Sequence, residues 1–290
     1  MLILKMLDRI ALGTTLAFLL CGVRIIFAQA PESNGSRQIV ARSRPLADAA
    51  DRLASLYGKP VTYEDPILIW GGDKEPAQNA RGEIRLVQKS RSFSMPVESD
   101  RKETRILDKE LLNRVVSAYH SQTDGPRFKV ISSAWGIHIV PSEVRDADGK
   151  WIEAKSLLDT PIAIPLAKRT PEGHFHEICA AVTTSTGIKL QEFDPYLNGD
   201  FARVKFNMFR ATVDDLERIS FYWGTTSAMT AREAIFSFLE HSSNTMSWKV
   251  LCEVSATGPC FFNMWAFSFI GPDGKLQFMP DKEKTPNPSK

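Results

Sequence analysis

PLADAADRLASLYGKPVTYEDP, residues Pro45 to Pro66, and HFHEICAAVTTSTGIKLQEFDP, residues His174 to Pro195, decide how this chain is read. Each stretch reads as an amphipathic helix, a glycine stop, a short alternating strand and an Asp-Pro break. The glycines (Gly58 and Gly187) and the breaks (Asp65-Pro66 and Asp194-Pro195) are both 129 residues apart, so the stretches align without a gap. In the first, Leu46, Ala49, Ala50, Leu53 and Leu56 recur every three or four residues and form one apolar stripe. Asp48, Asp51 and Arg52 fall on the opposite side. Gly58 suits a left-handed helix cap, and Val61 and Tyr63 then alternate until Pro66 ends the strand.

Outward from these stretches the order of elements repeats. In the first half, polar residues 31–43 read as a linker, and strands are expected at Glu83–Gln88 and Arg91–Met95 within a charged insert. A second helix runs from an Asp108 N-cap to about Ser121, with Leu111, Leu112, Val115, Val116 and Tyr119 on its apolar face. Strands Phe128–Ile131 and Ile137–Val140 follow, with a turn at Asp148-Gly149. In the second half, Phe175, Ile178, Cys179 and Val182 mark the first helix. Strands are expected at Ile188–Gln191, Val204–Phe209 and Ile219–Trp223, and a helix from about Thr230 carries Ala234, Ile235, Phe238 and Leu239. Strands Trp248–Cys252 and Phe261–Phe269 close the half, with a turn at Asp273-Gly274.

Even the endings rhyme. Phe128-Lys129-Val130-Ile131 matches Trp248-Lys249-Val250-Leu251, and Asp148-Gly149-Lys150 matches Asp273-Gly274-Lys275. A tandem duplication is the simplest account, with modules at 44–155 and 156–279. The other account is two unrelated α+β domains that share a common helix-glycine-strand grammar. Either way the expected class is α+β, with two helices per module packed on small mixed or antiparallel sheets.

The first 30 residues read as a signal peptide: Lys5 and Arg9, an apolar run from Ile10 to Val23, then Ala28-Gln29-Ala30. Arg24 leaves the run short of the roughly 20 apolar residues of a spanning helix. An uncleaved inner-membrane anchor over residues 10–27 is the alternative. Cleavage near Pro31 leaves 33 basic and 33 acidic residues, a balance that argues against a nucleic-acid partner. Residues 280–290 read as a disordered tail.

With these residues in view, LADAADRLASLYGKPVTYEDP resembles the opening of the short N-terminal (STN) domain of secretins and TonB-dependent receptors. That family opens with L-x-x-A-L-x-x-L-A, a glycine, a strand and D-P. Leu46, Ala49, Leu53, Ala54, Gly58, Asp65 and Pro66 fall on the pattern. LDKELLNRVVSAYHSQTDGPRFKVI resembles the family's second helix, and TAREAIFSFLEHSSNTMSWKVL does so more loosely. The resemblance implies two βαβ-type units, a periplasmic location, and binding to partner proteins or assembly beside a pore. No β-barrel or secretin core follows in this chain, and the insert from Gly71 to Glu103 is longer than the pattern, so the fold carries over more readily than the role.

Few residues suggest chemistry. His174, His176 and Cys179, with Glu177, are metal-ligand types. On one helix, however, residues two apart face different ways, and Cys179 sits in the apolar stripe. The expected metal is therefore none, and no cofactor motif appears. Cys252 and Cys260 flank the turn Ser255-Ala256-Thr257-Gly258-Pro259 and suit a cross-strand disulfide in an oxidising compartment; two reduced thiols among aromatic neighbours are the alternative. Trp223, Phe262 and Trp265 belong to an aromatic-rich C-terminal region, which reads either as a central strand or as a partner-binding surface. His120 and His138 have no partner visible in the sequence. The expectation is an exported, non-catalytic binding or scaffold protein of the bacterial cell envelope that contacts a protein partner. The competing expectation is an exported hydrolase working through dispersed carboxylates such as Asp214, Asp215 and Glu217.

Overall fold

A computed structural model describes residues 37–78, 82–96, 107–192, 220–225, 227–240, 246–255, 258–266, 268–270 and 276–278. The expected signal peptide, the Val204–Phe209 strand, Ile219, the Asp273-Gly274 turn, Asp214, Asp215, Glu217 and the tail lie outside these residues. The described residues form one unit of α+β architecture.

Helix α1 (Pro45–Tyr57) begins at a proline, where no backbone donor is lost, and ends at Gly58 with φ 62°. Strand β2 (Val61–Glu64) follows. Helix α2 (Lys109–Gln122) starts where predicted, the Asp108 carboxylate accepting the Leu111 N–H at 2.8 Å. Strands β6 (Arg127–Ser133) and β7 (Gly136–Arg145) complete the first set. The second set is α3 (Pro171–Thr186), β11 (Leu190–Glu192), α4 (Ala231–Glu240), β14 (Met246–Cys252) and β15 (Cys260–Ala266). Helix α3 starts three residues ahead of the quoted echo, because Thr170 caps the Gly173 N–H. Gly187, with φ 71°, ends it.

The stretch read as a linker carries a strand instead. β1 (Arg37–Arg42) pairs antiparallel with β5 (Arg91–Pro96), and Val40 is buried. Flanking arginines and a glutamine hide this strand in the sequence, since its stability comes from the pairing. Within the insert, β3 (Lys74–Gln78) forms a two-stranded ribbon with β4 (Ile84–Gln88). Pro76 lies inside β3, and a ribbon of two edge strands tolerates it. Small pairs form between β9 (Pro161–Ile162) and β13 (Met229–Thr230), between β10 (Ala167–Arg169) and β12 (Phe221–Trp223), and between β16 (Ser268–Ile270) and β17 (Leu276–Phe278).

The principal sheet has seven strands in the order β11-β15-β14-β2-β7-β6, with β8 (Trp151–Glu153) on the end of β7. Both halves contribute the same three-strand pattern. β2 runs parallel to β7, which is antiparallel to β6; β11 runs parallel to β15, which is antiparallel to β14. Register repeats too. Lys129↔Val140 and Val130↔Ile139 recur as Lys249↔Asn263 and Val250↔Phe262, a shift of 120 residues in one strand and 123 in the other. At the seam, β14 lies parallel to β2, with Lys249 opposite Tyr63. β14 thus points along β2, whereas its counterpart β6 points against it. The second trio is turned over by a half-turn about a line across the strands.

That half-turn places the two helix pairs on opposite faces. Tyr63, Phe128, Val130 and Ile139 face α1 and α2 in one core. Trp248, Val250, Phe262 and Cys260 face α3 and α4 in another. Lys249 and Leu251 of β14 alternate onto the first face, where Lys249 Nζ bonds Asp51 of α1 and Leu251 joins the first core.

His138 lies on the second face, fully buried, stacked on Trp248 with centroids 5.2 Å apart. Its Nδ1 meets Thr62 Oγ1 at 2.8 Å and its Nε2 meets Ser133 Oγ at 2.7 Å. Burial, reinforced by Arg232, lowers its pKa from 6.5 to about 3, and burial with Arg127 lowers that of His120 to about 4. Unfolding frees both rings to take protons, so stability contributed by the neutral rings is full above pH 6.5 and is lost as pH falls toward 3. Thermal unfolding followed by circular dichroism is expected to show this acid loss, and His138→Gln is expected to lower the melting temperature at pH 7.5 while flattening its fall below pH 6.5.

Candidate functional site

The seam between the two strand trios converges on Glu64 and Asp65, consecutive residues at the end of β2. Strand alternation sends them to opposite faces, and neither carboxylate is exposed. Glu64 accepts from both terminal nitrogens of Arg232 on α4 and from Ser156 Oγ. Arg232 also donates to Asp159 Oδ1 at 2.7 Å. Burial works against the charge on Arg232, but Glu64 and Asp159 outweigh it and hold its pKa above the usual value. Ser156 caps the short 3₁₀ turn Leu157–Asp159, so the same hydroxyl fixes that turn and the carboxylate.

Asp65 accepts four donors: Arg44 Nε at 2.6 Å, Tyr63 Oη at 2.8 Å, the Cys252 N–H at 2.9 Å and Gln88 Nε2 at 3.3 Å. Arg44 reaches across to the Cys252 carbonyl at 2.7 Å. Burial, with Asp65 adding to it, pushes the Tyr63 phenol well above its usual range. The Asp-Pro break therefore supplies a buried anion that clamps both backbone groups of a residue in the other half. A buried carboxylate without such partners would be intolerable. Sequence reading recognised Asp65 only as a strand terminator. The available signal was an acidic pair next to a predicted apolar strand, together with Arg232 on the buried stripe of α4.

Cys252 and Cys260 are joined in a disulfide, directly opposite in the β14–β15 register. Cys179 is free and buried, and burial pushes its thiol well above the usual range. Two of the aromatic residues considered for a partner surface are core instead. Phe262 is fully buried 4.8 Å from the Phe175 ring centroid, and Trp223 is buried with its indole N–H on Ser237 Oγ at 3.2 Å. Both belong to the core beneath α3 and α4, Phe262 from β15 of the principal sheet and Trp223 from β12 of the small β10–β12 pair. The side chain of Trp265 lies outside the described residues. His174 is buried against the Phe221 carbonyl, while His176 is exposed beside Glu192, so the pair does not converge. Among the described residues no three His, Cys, Asp or Glu side chains are placed to hold a metal ion, and no helix is long and apolar enough to cross a membrane.

Above the Asp65 clamp lies an open groove of about 650 Å³ between the β3–β4 ribbon and the β14–β15 hairpin. Arg44, Lys74, Arg85, Leu86, Glu253 and Phe261 line it. Leu86 is 59% exposed and Ile84, two residues away on the ribbon, is 75% exposed. Around Trp70, Arg145 is stacked between two indoles, 4.9 Å from Trp70 and 4.8 Å from Trp151. Arg91 binds Asp73 and Asp124 nearby. These contacts brace the insert against β7 and β8.

No protein-family model, curated protein or solved structure matches this chain.

Removing one partner of the Glu64–Arg232 pair strands the other charge in the interior. Arg232→Ala is expected to lower the unfolding free energy by about 3–5 kcal/mol in urea titration. Glu64→Leu combined with Arg232→Met is expected to recover most of that loss, because an apolar pair leaves no uncompensated charge. Cys252→Ala with Cys260→Ala is expected to lower stability by about 2–3 kcal/mol in the same assay.

Proposed function

We propose that this is an exported, non-catalytic binding protein of the bacterial cell envelope, built from two STN-like units that arose by duplication. It holds an extended, acidic segment of a protein partner in the groove beside β4. The observation that carries this reading is the groove itself. Three cationic side chains and one acidic one line it, and an exposed leucine stands at its wall. Among the described residues β3 and β4 pair only with each other, which leaves backbone groups for an added strand. Matching strand order and register in the two halves support duplication. The disulfide fits an oxidising compartment and the signal-peptide reading of residues 1–30. The carboxylates on view favour binding over hydrolysis, since Glu64 and Asp65 point apart and are saturated with partners.

A photo-crosslinking residue in place of Leu86 is expected to give discrete adducts with an envelope protein, and the same residue in place of exposed Glu110 is expected to give none. Arg85→Glu is expected to reduce the Leu86 adducts several-fold. Equal adducts at both positions would remove the groove as the docking site. Mass spectrometry of the purified protein is expected to find a chain starting at Pro31; an intact Met1 would replace export by cleavage with an inner-membrane anchor.

A further inference from the structure

The internal seam joins the second-strand position of one trio (β14) to the first-strand position of the other (β2). Among the described residues, those same two positions recur at the outer edges of the seven-stranded sheet. Its last strand, β6, is the counterpart of β14, and its first strand, β11, is the counterpart of β2. We propose that copies of this chain associate head to tail, with β6 of one copy pairing in parallel with β11 of the next.

Strand direction permits it. β6 opposes β2, and β2 runs with β14, which opposes β15 and β11's shared direction. Consequently β6 and β11 run the same way, and a copy displaced sideways across the strands brings them together in parallel, as β14 and β2 already are. Faces agree as well. Lys129 points away from α1 and α2, because its neighbours Phe128 and Val130 pack under them. It therefore projects on the face of α3 and α4, where Glu192 meets His176 of α3.

Carrying the seam register to the edges gives the chemistry. Lys249 stands opposite Tyr63, and the corresponding residues are Lys129 and Glu192. Lys129 is exposed. An opposite-charge pair thus takes the place of a lysine over a tyrosine. The buried clamp does not recur: Phe193 replaces Glu64 in the alignment. Ala180 replaces Asp51, so the helix position matching Asp51 offers Lys129 no carboxylate, and Glu192 is its partner. The contact is accordingly weaker than the seam and reversible. Because the surfaces that meet are different ones, it does not close at two copies but continues into chains. An edge lysine can also serve to repel such pairing, and the experiment separates the two roles.

Sedimentation velocity over rising concentration is expected to show growth past the dimer. Lys129→Glu or Glu192→Lys is expected to raise the concentration needed by about three- to tenfold, and the double exchange to restore it. With Lys129→Cys and Glu192→Cys in one chain, mild oxidation is expected to give a ladder of dimers, trimers and longer species on a non-reducing gel. A mixture of the two single-cysteine chains is expected to stop at a dimer between them. A chain that stays monomeric at every concentration, or a double-cysteine protein that gives no ladder, would overturn the proposal. So would self-association that neither charge reversal alters.

Discussion

Two carboxylates buried side by side at the end of one strand impose the architecture. An unpaired charge in the interior is so unfavourable that Glu64 and Asp65 must find cations and N–H donors wherever the fold can supply them. Residues adjacent in a strand face opposite ways, so donors have to arrive from both sides of the sheet. Arg232 comes from the helix layer on one side, and Arg44 comes from the other. The Cys252 backbone arrives within the sheet plane. The arrangement with β14 against β2, and with α4 across the sheet from α1, satisfies both groups together.

The half-turn between the strand trios follows the same logic. Were the trios related by simple translation, all four helices would crowd one face and leave the other to water. Turning one trio over covers each face with one helix pair, and each pair buries its own apolar stripe. The two cores then share only the sheet. Along β14 every residue is buried, Trp248 and Val250 facing one layer and Lys249 and Leu251 the other. A strand buried on both faces loses simple alternation, and β15, buried from Cys260 to Met264, accordingly sets Phe261 and Phe262 side by side.

That loss of alternation also marks what the sequence reveals and what it hides. Helix faces, glycine caps and the Asp108 cap were legible because they depend on neighbours three or four residues away. The alternating strands of the first half were legible for the same local reason. β1 was not, since Val40 is buried by residues about fifty positions further on. Trp223 and Phe262 looked equally suited to a surface or a core, because periodicity does not tell which side of a sheet is covered. The seam was mostly hidden. Nothing local to Asp65-Pro66 distinguishes a turn from an anion that grips Cys252, and the one mark on the other side is Arg232, a charge set on the apolar stripe of its helix.

The partners of the seam lie far apart along the chain: Glu64 and Arg232 are separated by 168 residues and Asp65 and Cys252 by 187. During synthesis the N-terminal trio emerges long before β14, so its β2 edge and both acids stay wet until the last hairpin arrives. Maturation is therefore governed from the C-terminal end, and loop closure over that length makes it slow. A chain cut short before β14 keeps a bare strand edge that invites intermolecular pairing, so incomplete products are a hazard to their neighbours.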